Sequence, residues 1–70
     1  MNIGGRLKQL RQERSLSQWD LARLSGVAQS NISLIEANRV SPSIETLSRL
    51  AEALNVPLAD LVSEPRAKTG

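Results

Sequence analysis

Gln29 and Ser30 open a segment in which Ile32 and Ile35, three apart, set one apolar edge of a helix. At about 100° per residue, that edge leaves Ser30, Ser33, Leu34 and Ala37 on the outward side, with Gln29 exposed in the first turn. The outward side is small and uncharged. Such a surface can enter a duplex groove about 12 Å wide, where glutamine pairs with adenine N6 and N7 and a leucine can touch a thymine methyl. Arg39, just beyond, suits a phosphate, and Ser41 and Ser43 bring free backbone N–H groups to the start of the next helix. The chemistry on offer is recognition. The chain has no histidine, cysteine or tyrosine, so the usual nucleophile–base pairs and zinc ligands are missing. Without a Gly-rich phosphate loop either, it reads as a non-enzyme with no cofactor or metal implied.

Presenting that surface requires a second helix against it. Ala22 is small where the two would press closest, and Gly26, four residues on, falls where the chain must turn with φ > 0. Around this pair the apolar spacing predicts three more helices. Ile3, Leu7, Leu10 and Arg14 fall on one stripe of a first helix over residues 3–14, which Ser15 and Leu16 break. Ser17 caps the second helix, 18–25, with Asp20 in the acidic position of a capping box. The third runs over 28–37 and ends at Asn38, which suits a left-handed cap. Ser43 caps a fourth with Ile44, Leu47, Leu50, Ala51 and Leu54 on one face and Asn55 closing it. Pro57 opens a short fifth through Val62. The fold class is all-α, a compact five-helix domain over residues 1–62, and residues 63–70 read as a polar tail or linker.

A domain of 70 residues without disulfide or zinc must rest on tight packing of Leu, Ile, Val and Ala. Neither a signal region nor an apolar run of membrane-spanning length is present, which predicts a cytoplasmic protein with no membrane partner. The net charge of +2 is unevenly divided. Residues 1–39 carry six cations against three carboxylates, whereas residues 40–62 carry Arg49 against three. One part of the domain therefore looks toward an anion.

Leu16-Ser17-Gln18, Leu21-Ala22, Ser25-Gly26-Val27, Ile32-Ser33, Ile35-Glu36 and Pro42-Ser43-Ile44 resemble the Cro and phage-repressor helix-turn-helix domain, a lambda-repressor-like fold, from Ile3 to Val62. The run from Ile32 to Glu36, with Arg39 to Ile44, is also similar to bacterial regulators in which such a domain precedes a cupin-type sensor. A C-terminal sensor domain, absent from this chain, is then one possible partner. The resemblance implies a homodimer on a palindromic double-stranded DNA operator, with the third helix in the major groove. It implies base contacts from Gln29, Ser30 and their outward neighbours Ser33 and Leu34. The phosphate contacts fall to Gln18, Trp19, Asn31, Asn38, Arg39, Ser41 and Ser43. Arg11 and Glu36 match a partly buried structural ion pair in the family. Two departures stand out: Trp19 replaces a small or acidic residue, and Asn38 replaces glycine.

Two further expectations follow from the residues themselves. Leu58, Leu61 and Val62 lie on a helix too short to bury all three, which predicts an apolar edge for a two-fold contact. If Leu21 and Leu24 face inward, Trp19 projects about 160–200° away from Leu21 and stands outside, within cation–π reach of Arg23. The rival reading is a protein-interaction module, an antitoxin or adaptor, that uses Leu34, Trp19 and the Leu58/Leu61/Val62 edge to bind another protein.

Overall fold

The computed structural model describes residues 2–62; the expected tail at 63–70 lies outside them. Five helices follow one another: α1 (Ile3–Glu13), α2 (Gln18–Ser25), α3 (Gln29–Glu36), α4 (Ile44–Leu54) and α5 (Leu58–Val62). No strand occurs among the described residues. Each boundary has a local cause. Asn2 caps α1 by accepting from the Gly5 amide, and Ser17 and Asp20 form the reciprocal capping box on α2. Ser43 Oγ accepts from the Thr46 amide at the head of α4. Gly26 ends α2 at φ +76°, while Asn38 and Asn55 take φ +59° and +61° after α3 and α4. Asparagine tolerates this left-handed region better than other residues with a Cβ. Ser15 takes it too, at φ +57°, in the link from α1 to α2.

α1 packs on α3 and α5, α2 on α3 and α4, and α4 on α5. The core is Leu7 and Leu10 of α1, Leu21 of α2, Ile32 and Ile35 of α3, four residues of α4 from Leu47 to Leu54, and Leu61, with Val27 of the turn. Each fully buried side chain of this size contributes about 1.5–3 kcal/mol. Three expected core positions lie elsewhere. Ile44 is two-thirds exposed, in the first turn of α4. Leu24 is 59% exposed, since the protected stripe of α2 consists of Gln18, Leu21, Ala22 and Ser25, at i, i+3, i+4 and i+7. Arg14 leaves the α1 stripe and donates to the Leu54 carbonyl at 2.7 Å, closing the C-terminus of α4.

Leu61, expected on an exposed dimer edge, is fully buried. α5 folds back on both α1 and α4, so its middle leucine has a core to enter. Leu58 and Val62 are half-buried against that core. Gly4 has no counterpart in the sequence reading. It is buried where α1 meets the end of α3, and a Cβ there would overlap the Ile35 carbonyl oxygen and come within 2.7 Å of that of Glu36. Only glycine permits this approach.

Candidate nucleic-acid interface

α3 is held by one apolar edge and one ionic tether. Ile32 and Ile35 are buried, while Ser30, Ser33, Leu34 and Ala37 stand outward and exposed. At its end, the Glu36 carboxylate receives Arg11 Nε at 2.7 Å and Nη2 at 2.9 Å. Both side chains are nearly buried, at 10% and 5% exposure. Arg11 Nη1 also donates to the Leu16 carbonyl at 2.8 Å, so one guanidinium fixes α1, the α1–α2 link and α3 together. Burial raises the affinity of Glu36 for its proton. Hydrogen bonds from Arg11 and Gln18 and the charges of Arg11 and Lys8 outweigh it, and the carboxyl is held below its ordinary value.

Gln18 extends this tether toward the head of α3. Its Nε2 donates to Glu36 Oε1 at 3.0 Å, and its Oε1 accepts from Gln29 Nε2 at 2.8 Å. Gln29 is half-buried, not free in solvent as a bare helix start would be. α3 has no side-chain cap, Ala28 holding the cap position, and the backbone N–H groups of Gln29 and Ser30 find no acceptor among the described residues. Those two amides belong to the positive end of the helix and suit an anion.

The remaining candidates divide. Arg39 is exposed and has no ion-pair partner among the described residues. Ser41 is exposed beside it, and Ser43 is exposed while also capping α4. Trp19 is 68% exposed, on the outer side of α2. Arg23, expected near the ring, pairs with Asp20, its Nη2 lying 2.8 Å from Oδ1. Asn31 is half-buried and lines an open cleft of about 310 Å³ with Gly26, Ala28, Thr46 and Arg49, between the turn and α4. Asn38 is exposed and also tied into the fold. Its Oδ1 accepts from the Gly4 amide at 3.2 Å and its Nδ2 donates to Asn2 Oδ1 at 2.9 Å. The side chain thus joins the end of α3 to α1, with one Nδ2 hydrogen unclaimed among the described residues.

The charge imbalance also shrinks on folding. Arg6 Nε donates to the Asp60 carbonyl at 2.8 Å, and Arg11, Arg14 and Arg23 are engaged as described. Of the six cations in residues 1–39, Arg6, Lys8 and Arg39 lack an ion-pair partner among the described residues, and Arg6 is held by the Asp60 carbonyl. The electrostatic pull on a phosphate therefore concentrates at few places.

A short capped helix, a left-handed glycine turn and a second helix with a small, empty outer face define a helix-turn-helix module. The helix-turn-helix family model HTH_3 matches residues 7–61, and the chain belongs to this family. The HTH-type transcriptional regulator PuuR of Escherichia coli (strain K12) is 45% identical over 62 residues, covering 89% of this chain and 34% of PuuR. The immunity repressor protein of Bacillus phage phi105 is 38% identical over 64 residues, covering 91% of this chain and 44% of that protein. The chain thus spans about a third of PuuR's length. Among solved structures, SinR, the master regulator for biofilm formation, in complex with DNA, matches with a TM-score of 0.83 and 40% identity, covering 87% of this chain and 98% of that chain.

Proposed function

We propose that this domain is a sequence-specific reader of double-stranded DNA in a transcriptional regulator, with α3 lying in the major groove. The outer face of α3 carries the reading: Ser30, Ser33 and Leu34 are exposed, uncharged and narrow, and Gln29 stands at its leading end. Gln29 and Ser30 meet base edges, and Leu34 meets a thymine methyl. Arg39, Ser41 and the uncapped amides of α3 meet phosphates, with Trp19 and the second Nε2 hydrogen of Gln18 beside them. Relatives named as transcriptional regulators and repressors, and a DNA complex of the similar SinR domain, support this use of the fold.

Two protomers bind a palindromic site in this reading, since a two-fold protein matches two half-sites. With Leu61 in the core, the surface left for that contact is Leu58 and Val62 with Val56 and Pro57; of these Val56, Pro57 and Leu58 line an open groove between α4 and α5. The test is binding to duplexes selected from a random pool, measured across salt concentrations. A selected consensus, with affinity falling steeply as salt rises, is the expected result. A protein-docking module would give no consensus and no such slope.

A further inference from the structure

Between α3 and α4 the chain crosses residues 39–42 with little to hold it. The Arg39 amide donates to the Leu34 carbonyl at 2.9 Å, and Val40, Ser41 and Pro42 make no backbone hydrogen bond among the described residues. A cleft of about 190 Å³, bordered by Ile3, Gly4, Val40 and Pro42, opens beneath them. A loop with space under it and so few bonds moves freely unless its ends are fixed. Ser43, heading α4, fixes one end. Asn38 fixes the other. We propose that Asn38, tied through Asn2 and Gly4 to the first turn of α1, is a positioning residue that aims Arg39 at its phosphate.

The tie works in one orientation only. Asn2 Oδ1 caps α1 by accepting from the Gly5 amide at 2.8 Å, which fixes where that oxygen points. Asn38 must then turn its Nδ2 to the same oxygen, at 2.9 Å, leaving its own Oδ1 for the Gly4 amide at 3.2 Å. Gly4 is buried, and the first turn of a helix leaves such an amide without a backbone partner. Asn38 supplies the acceptor. The residue also takes φ +59°, which turns the chain out of α3. Glycine would make that turn more readily but bring no side chain. Aspartate would accept from Gly4 yet set an oxygen against the oxygen of Asn2. Holding the backbone at residue 38 orders the adjoining Arg39 on folding, so that less ordering is left to subtract from affinity on binding.

This inference rests on Arg39 meeting a phosphate, and the experiment separates the two. Affinity for a selected duplex is measured with and without Arg39→Ala, in the native chain and in Asn38→Gly, Asn38→Asp and Asn2→Asp. In the native chain Arg39→Ala should cost about tenfold and flatten the log–log salt slope by about one unit. In the two Asn38 variants the same change should cost less than about twofold and leave the slope nearly unchanged. Asn2→Asp keeps an oxygen for both the Gly5 amide and Asn38 Nδ2, so there the full effect of Arg39→Ala should persist. Each ratio compares two chains that differ only at the exposed residue 39, so a reduced folded fraction cancels. An Arg39→Ala cost as large in the Asn38 variants as in the native chain overturns the positioning role. So does its disappearance in Asn2→Asp. If Arg39→Ala changes neither affinity nor slope in the native chain, the phosphate contact itself fails, and the positioning role with it.

Discussion

Replacing Gly4 by alanine tests how α3 is held in place. Alanine favours a helix over glycine by about 0.5–1 kcal/mol, so on propensity alone the change stabilises α1. The added Cβ, however, would overlap the Ile35 carbonyl oxygen and sit 2.7 Å from the Glu36 carbonyl and 2.8 Å from Asn38 Oδ1. Two of these are backbone atoms in the last turn of α3, and only sliding α3 off α1 relieves them. Overpacking of this kind costs about 1–3 kcal/mol. The shift also strains the 3.2 Å bond from the Gly4 amide to Asn38, a hydrogen bond of about 1 kcal/mol. The clash wins, leaving a net loss of about 1–3 kcal/mol. At roughly 4–8 °C per kcal/mol for a domain this small, the midpoint should drop by some 5–20 °C. Thermal unfolding followed by circular dichroism reads this directly. Gly5→Ala is the control: its Cβ meets only the Asn2 side chain, at 2.7 Å from Nδ2, and that group can swing away. Its net effect should stay within about 1 kcal/mol, helix propensity offsetting the weakened cap. A Gly4→Ala protein as stable as wild type would refute the close approach of α1 and α3.

Arg39→Ala should weaken binding to all duplexes alike and flatten the log–log salt slope by about one unit, as loss of one phosphate contact does; a change confined to one base pair would make Arg39 a base reader. Glu36→Ala leaves the nearly buried Arg11 guanidinium unpaired and should cost about 3–5 kcal/mol, enough to unfold most of a domain of this size in a denaturant titration. With the Glu36 carboxyl below its ordinary value of 4.5 and Asp20 below 3.8, their contributions are present above those values and lost as pH falls through the folded pKa. Stability should therefore be level from about pH 7 to 5 and decline below about 4.5, and a domain that stabilises on acidification contradicts the Arg11–Glu36 tether. Trp19, the sole aromatic residue, should emit at long wavelength in the free protein and respond when duplex DNA is added, whereas blue emission indifferent to DNA would place the ring in the core.

The helix boundaries were legible in the sequence because their causes are local. Ser17 with Asp20, Gly26, Ser43 and Asn55 each act within one turn of their own position, and the structure uses them as read. The same holds for Ile32 and Ile35, whose spacing alone sets the buried edge of α3. What escaped the reading depends on partners far along the chain. Leu61 looks surplus on a five-residue helix until α5 is seen to reach α1 as well as α4. Arg6 and Arg14 look like a basic patch until the carbonyls of Asp60 and Leu54 arrive beneath them, 54 and 40 residues away. The Gly4 contact crosses from α1 to α3, and no pattern within α1 distinguishes it from Gly5. Leu24 failed for a different reason: on a helix of eight residues two leucines define the face poorly, and the small Ala22 and Ser25 carry the contact instead. The Gln18–Gln29 pair lay in plain view as two residues with assigned roles. Their link needed α2 and α3 brought side by side.

The most direct test of α3 in the major groove is a dimethyl sulfate footprint on a selected duplex. The reagent methylates guanine N7 in the major groove and adenine N3 in the minor groove, and so distinguishes the two surfaces. Protection of guanine N7 in two patches about one helical turn apart, with adenine N3 as reactive as in free DNA, is the result expected for two protomers on a palindrome. Protection confined to adenine N3, or none at a duplex the protein demonstrably binds, would contradict the assignment of α3 as the reading helix.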